Sequence, residues 1–246
     1  PPGGGLKVSD APGVWFITPG GWAGLLASAG FAPGYSPPTA AVSPSAIGDS
    51  LTAKPFVSRA KVYPDMSGMV HVEVWQRTPV MRVMAADGAD FYISDDGWIL
   101  PAAGTGSIYV PIVTGNLRLP FAGGWGGSLE SVDTESPFFS EESYLYLYKL
   151  INFVKLIRSD AFWNAQIVQI NVAERGGTGA ASAGNGPEIE LIQRVGQHIV
   201  AFGDLERQRE KLDKLMLFYR RVLDTEGWDD YRYIDLRYRD QVVCRR

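Results

Sequence analysis

The stretch Tyr231–Cys244, YRYIDLRYRDQVVC, decides how this chain is read. Aromatic and apolar residues alternate with charged ones up to Tyr238, and a second apolar run, Val242–Cys244, follows near the end. Alternation at period two is the pattern of a strand. The segment therefore predicts a strand, a tight turn and a second strand. Ile234, Leu236 and Tyr238 fall on one face of it, and Tyr233, Asp235 and Arg237 on the other. A terminal strand has an edge, and an unpaired edge can accept a strand from another protein. Main-chain pairing along Gln241 to Cys244 is the expected mode of that contact.

Working outward, 246 residues suit one large domain or two small ones. With 46% hydrophobic and 20% charged residues the composition is that of a folded globular chain. A net charge of −4 gives no general attraction to nucleic acid or anionic lipid. The single cysteine, Cys244, excludes an intrachain disulfide. No apolar run reaches the ~18–20 residues of a membrane helix, and no signal-peptide pattern occurs. The sequence starts at Pro1, which reads as a fragment or processed form with any membrane segment expected upstream.

Turn and cap chemistry divides the rest. Leu6–Ser9 is a short strand. Thr18-Pro19 starts a helix with Trp22, Leu25 and Leu26 on one face and Gly30 at its end. After a Pro-rich link, Ala32–Pro38, Ser43 or Ser45 caps a second helix carrying Ile47 and Leu51. Strands Val57–Tyr63 and Met69–Trp75 flank the turn residues Pro64–Gly68. The order is β-α-α-β-β.

Val80–Ala85, Asp90–Ser94, Trp98–Leu100 and Ile108–Val113 are further strands, with Asp-Gly turns at Asp87-Gly88 and Asp96-Gly97. Residues 121–136 read as a Gly/Ser-rich loop. Helical spacing of Tyr144, Leu147, Tyr148, Ile151 and Val154 predicts a helix over Ser140–Arg158. Strands Gln166–Val172, Glu188–Arg194 and His198–Phe202 follow. Asp204 is the expected cap of a last helix ending near Gly227, with Leu205, Leu212, Leu215, Met216, Tyr219, Val222 and Leu223 as its apolar stripe.

Catalytic chemistry finds no constellation. Asp95-Asp96 lies in a turn and Glu141-Glu142 in a first helical turn, where acids suit the helix dipole. His71, His198 and Cys244 lack metal-ligand spacing, and no G-x-S-x-G elbow occurs. The glycine-rich segment Arg175–Pro187 lacks the Lys-Ser/Thr ending and the following helix of a phosphate loop. No catalytic residue, metal, cofactor or small-molecule substrate is expected.

The ordered segments VYPDMSGMVHVEVWQRTPVMRV, DFYISDDGWILP and YRYIDLRYRDQVVC, with the helix GDLERQREKLDKLMLFYRRVL, resemble the bacterial cell-division family FtsQ, also called DivIB. The resemblance implies an α+β fold: a POTRA-like β-α-α-β-β module over residues 1–79, then a larger antiparallel β domain over residues 80–246 packed with two long helices. It implies one upstream membrane helix and a folded region on the periplasmic face of the inner membrane. It further implies a non-enzymatic scaffold of the divisome that links early and late division proteins and regulates septal peptidoglycan synthesis. FtsB–FtsL coiled coils, and other divisome members, are the implied partners. On that match Arg237, Tyr238, Arg239, Gln241, Val242 and Val243 contact the partner. Tyr238 has a second reading, as a core residue beside Ile234 and Leu236. Arg77 and Pro79 are expected at the domain junction, with Arg77 either paired across the joint or solvated before the proline bend. Two other classes stand beside this one: a POTRA component of outer-membrane protein assembly or secretion, and a cell-wall hydrolase, which activity on peptidoglycan would reveal.

Overall fold

The computed structural model describes residues 6–10, 43–66, 70–102, 108–173 and 187–246. The helix expected after Thr18, the Ala32–Pro38 link and nearly all of the 175–187 loop lie outside the described residues.

Ser43 caps α1 (Pro44–Thr52): its hydroxyl accepts the Ala46 amide, and proline occupies the first turn, where a missing N–H costs nothing. Strands β1 (Leu6–Asp10), β2 (Val57–Pro64) and β3 (Val70–Gln76) form a sheet in the order β1-β3-β2. β1 pairs parallel with β3, and β2 pairs antiparallel. Ile47 and Leu51 of α1 pack onto Val57, Val72 and Val74. The same cluster takes in Tyr92 and Leu100 from the larger sheet and Val110 from the segment before β7, so one apolar core is common to both sheets.

The larger sheet has ten strands. These are β4 (Pro79–Ala85), β5 (Asp90–Ser94), β6 (Trp98–Pro101), β7 (Ile112–Gly115), β8 (Gly127–Ser128), β9 (Ile167–Ala173), β10 (Glu188–Gln193), β11 (Ile199–Gly203), β12 (Tyr233–Asp235) and β13 (Val243–Arg245). Their order is β13-β12-β11-β10-β9-β7-β4-β5-β6-β8. The expected antiparallel sheet is instead mixed: β4 with β7, β7 with β9 and β11 with β12 run parallel. The cause is connectivity. Parallel neighbours need a crossover, and α2 (Glu141–Ser159) stands between β7 and β9 while α4 (Gln208–Phe218) stands between β11 and β12. Both helices bury their apolar sides in one core with Val83, Val113, Ile170, Leu191 and Val200. Phe153 of α2 meets Phe202 of β11 at 4.8 Å between ring centres.

Four local expectations change. Pro111 ends the apolar run from Ile108, so β7 starts only at Ile112, and the Pro111 carbonyl accepts the Arg82 amide. The 121–136 loop contains β8 and a 3-10 turn, Leu129–Ser131. A short helix, α3 (Ala161–Gln166), precedes β9, its Phe162 and Trp163 amides capped by the Asp160 carboxylate. Finally, Asp204 does not cap α4. Its carboxylate accepts the Glu206 amide and the buried Lys211 ammonium at 2.6 Å, and Arg207 turns the chain at φ 50°. A buried lysine needs that carboxylate more than a helix end does. The last helix then continues through a π turn, Tyr219–Leu223, before a final turn, α5 (Asp224–Glu226). The wider turn rotates the apolar stripe, leaving Met216 and Val222 half-buried while Tyr219 and Leu223 are buried.

Candidate functional site at the carboxy-terminal sheet edge

β12 lies between β11, parallel, and β13, antiparallel; Ile234 pairs with Val200 on one side and Cys244 on the other. β13 is the last strand in the order, so the far side of its backbone has no strand partner among the described residues. The connection from β12 is not a tight turn. It runs from Leu236 to Val242 and carries most of the predicted contact residues.

The alternation stops with β12. Ile234 and Leu236 are fully buried, and the Leu236 amide donates to the Ala201 carbonyl at 2.9 Å. Beyond them the chain leaves the sheet, and Tyr238 is 39% exposed rather than core. Arg239, Asp240 and Gln241 are exposed, Val243 is half-buried, and Val242 and Cys244 pack against the main core. Burial pushes the Cys244 thiol up, which keeps it protonated.

Arg237 is one of the expected contact residues. Its side chain is 7% exposed and its guanidinium is bound inside the molecule. Nε and Nη2 donate to the two Asp235 carboxylate oxygens at 3.0 and 2.7 Å, and Nη1 donates to Glu188 at 3.0 Å. The Asp235 hydrogen bonds hold the guanidinium well above its ordinary pKa, despite burial. Gly203 makes room for it: the backbone there has φ 78°, and a Cβ would meet Arg237 Cγ at 2.7 Å. Lys214 of α4 adds a clamp, its ammonium donating to the Leu236 and Tyr238 carbonyls at 3.2 and 2.5 Å. The result is a fixed loop with Tyr238, Arg239 and Gln241 outward and a short open edge beside them.

Sequence reasoning missed Glu188 and Lys214. A strand's period of two puts Asp235 and Arg237 on one side, so that pair was within reach. Glu188 lies 49 positions away from Arg237 and nothing local points to it.

Arg77 and Pro79, expected at a domain junction, lie elsewhere in the structure. The Arg77 amide donates to the Phe56 carbonyl and its Nε to the Pro55 carbonyl, each at 2.9 Å. Its guanidinium pairs with Asp96 in the β5–β6 turn and stacks 3.8 Å from the Trp98 ring centre. Desolvation lowers its pKa, opposed by Asp96. Pro79 opens β4, and its carbonyl accepts Arg158 of α2 at 2.5 Å. Of the other polar candidates, His71 pairs with Asp65, and His198 is buried against the Tyr219 hydroxyl at 2.9 Å. No group of three or more potential metal ligands occurs among the described residues.

A family model described as FtsQ/DivIB, C-terminal related, matches residues 78–245, a span that takes in β4 through β13. The chain belongs to this family. FtsQ/DivIB proteins are non-catalytic, membrane-anchored cell-division proteins with an extracellular domain, and cell division is accordingly the role of this relative. None of the described helices is long and apolar enough to cross a membrane. No curated protein matches the chain.

Proposed function

We propose that this FtsQ/DivIB relative is a non-enzymatic divisome scaffold that captures an FtsB/FtsL-type coiled-coil partner by strand addition to β13. The observation that supports the reading is the position of β13 at the end of the ten-strand order, beside a loop held in place from within. Strand addition draws affinity from main-chain hydrogen bonds and specificity from alternate side chains. Here Val243 and the backbone through Arg245 pair with the incoming strand, while Tyr238, Arg239 and Gln241 contact its flank. Val242 and Arg237 act indirectly, by seating the loop. Through this contact the protein links early and late division proteins and regulates septal peptidoglycan synthesis at the periplasmic face of the inner membrane. Residues 1–79 act as a POTRA-like module and residues 80–246 as the partner-binding domain, joined at Arg77 and Pro79.

The test is titration calorimetry against an FtsB-like coiled coil with Val243→Pro, Tyr238→Ala and Arg239→Glu variants. Val243→Pro removes one backbone N–H of β13, the strand at the end of the sheet. Loss of binding with an unchanged circular dichroism spectrum is expected. Full affinity in Val243→Pro overturns the strand-addition mode. Full affinity in all three variants overturns the site.

A further inference from the structure

The Gly-rich loop after Phe121 builds a second site beside β5, seven strand spacings from β13, or about 34 Å along the sheet at ~4.8 Å per strand. Phe121 and Trp125 lie 4.8 Å apart between ring centres, and Phe91 of β5 meets Phe121 edge-on at 5.9 Å. With Leu119 and Pro101 these rings wall a cavity of about 410 Å³, a size that suits a side chain or small ligand. Gly88, Gly123 and Gly124 also line it, and a Cβ at any of them would meet nothing within 4 Å. Part of the cavity lining is thus backbone without side chains.

Its charge is of one sign. Asp87 and Asp90 line the cavity, and no lysine or arginine among the described residues does. Arg82 neutralises Asp90 through two hydrogen bonds, at 2.8 and 2.7 Å. Asp87, in the exposed β4–β5 turn, uses Oδ1 to accept the Ala89 amide and forms no salt bridge among the described residues. An anionic group entering here would face Asp87. A purely apolar group would strip water from that carboxylate without replacing its interactions.

We propose that this cavity takes the cationic side chain of a lysine or arginine presented by a partner protein. The aliphatic stem lies along Phe121, Leu119 and Pro101, the charged end reaches Asp87, and Trp125 offers the ring best suited to a cation. The site shares no residue with the β13 edge, so one partner can hold each at the same time.

Nuclear magnetic resonance of the whole chain tests this with three capped tripeptides, glycine-X-glycine, where X is lysine, norleucine or glutamate. The lysine peptide is expected to shift the Trp125 indole N–H and the Gly88, Gly123 and Gly124 amides. Norleucine, with the same stem and no charge, is expected to bind at least about threefold more weakly, and glutamate not at all. Asp87→Asn removes the lysine–norleucine difference. That variant decides the question, because its exposed turn position leaves the core untouched, whereas Trp125→Ala alters the wall itself. Equal binding of lysine and norleucine, an unchanged difference in Asp87→Asn, or no shift at these positions at any soluble peptide concentration overturns the proposal.

Discussion

Arg237 and Arg77 are both buried guanidiniums, yet they hold their regions by different means. Arg237 sits between two carboxylates, Asp235 of β12 and Glu188 of β10, and pairing outweighs desolvation there. Arg77 pairs directly with one carboxylate, Asp96, is attracted more weakly by Asp95, and also relies on a backbone carbonyl and a tryptophan face; desolvation outweighs pairing. The surroundings explain the contrast. Around Arg77 an apolar core joins α1, β2 and β3 to Tyr92 and Leu100, so the arginine completes a joint that area already closes. Around Arg237 the sheet is running out. β12 and β13 have three residues each, and an edge buried under more apolar surface could not be offered to another chain. Charge fixes the loop there while leaving the backbone accessible.

Removing each arginine separates the two modes. Arg237→Ala leaves the buried Asp235 without its guanidinium partner and removes one partner of Glu188, and is expected to cost about 3–5 kcal/mol in urea denaturation. A cost below that of Arg77→Ala would break the contrast. Arg77→Ala loses a charge-assisted hydrogen bond to a half-exposed aspartate and a ring contact, an expected loss of about 2–3 kcal/mol. Gly203→Ala strains a left-handed position and crowds the Arg237 stem, for about 1–2 kcal/mol. In a double-mutant cycle with Arg237→Ala the crowding part vanishes, so the two costs add to more than the measured sum.

The smallest effect is one of pH. Burial holds His198 below its ordinary pKa, so the unfolded chain binds its proton first as pH falls. Stability contributed by neutral His198 is complete above about pH 6.5 and declines below it, by at most ~1.4 kcal/mol per pH unit. Because His198 adjoins β11, hydrogen exchange at Tyr233–Asp235 is expected to speed up at pH 5.5 relative to pH 7.5 more than exchange in β2 and β3. His198→Gln should abolish that added sensitivity.

Much of the architecture was legible because its causes are local. Ser43 and Ser140 cap helices where hydroxyls precede apolar periodicity, and Asp87-Gly88 and Asp96-Gly97 turn the chain where positive φ is needed. The terminal strand pair was readable from alternation. Its loop was not, because Lys214 and Glu188, which hold Leu236–Tyr238 and Arg237, approach from another helix and another strand. α3 went unread because Asp160 caps only six residues, too few to show periodicity. The Lys211–Asp204 pair overrode a cap that sequence rules favour.

The amino-acid order by itself determined where strands and helices begin, that a strand pair lies near the end, and the family to which these segments are similar. Tertiary structure alone decided that the large sheet is mixed, that Tyr238 faces solvent, that Arg237 faces inward, and that Trp125 helps wall a cavity. The physical reason is range. Caps, turns and alternation act over a few neighbouring residues, whereas strand direction, burial and ion pairing depend on which distant segments the folded chain brings together.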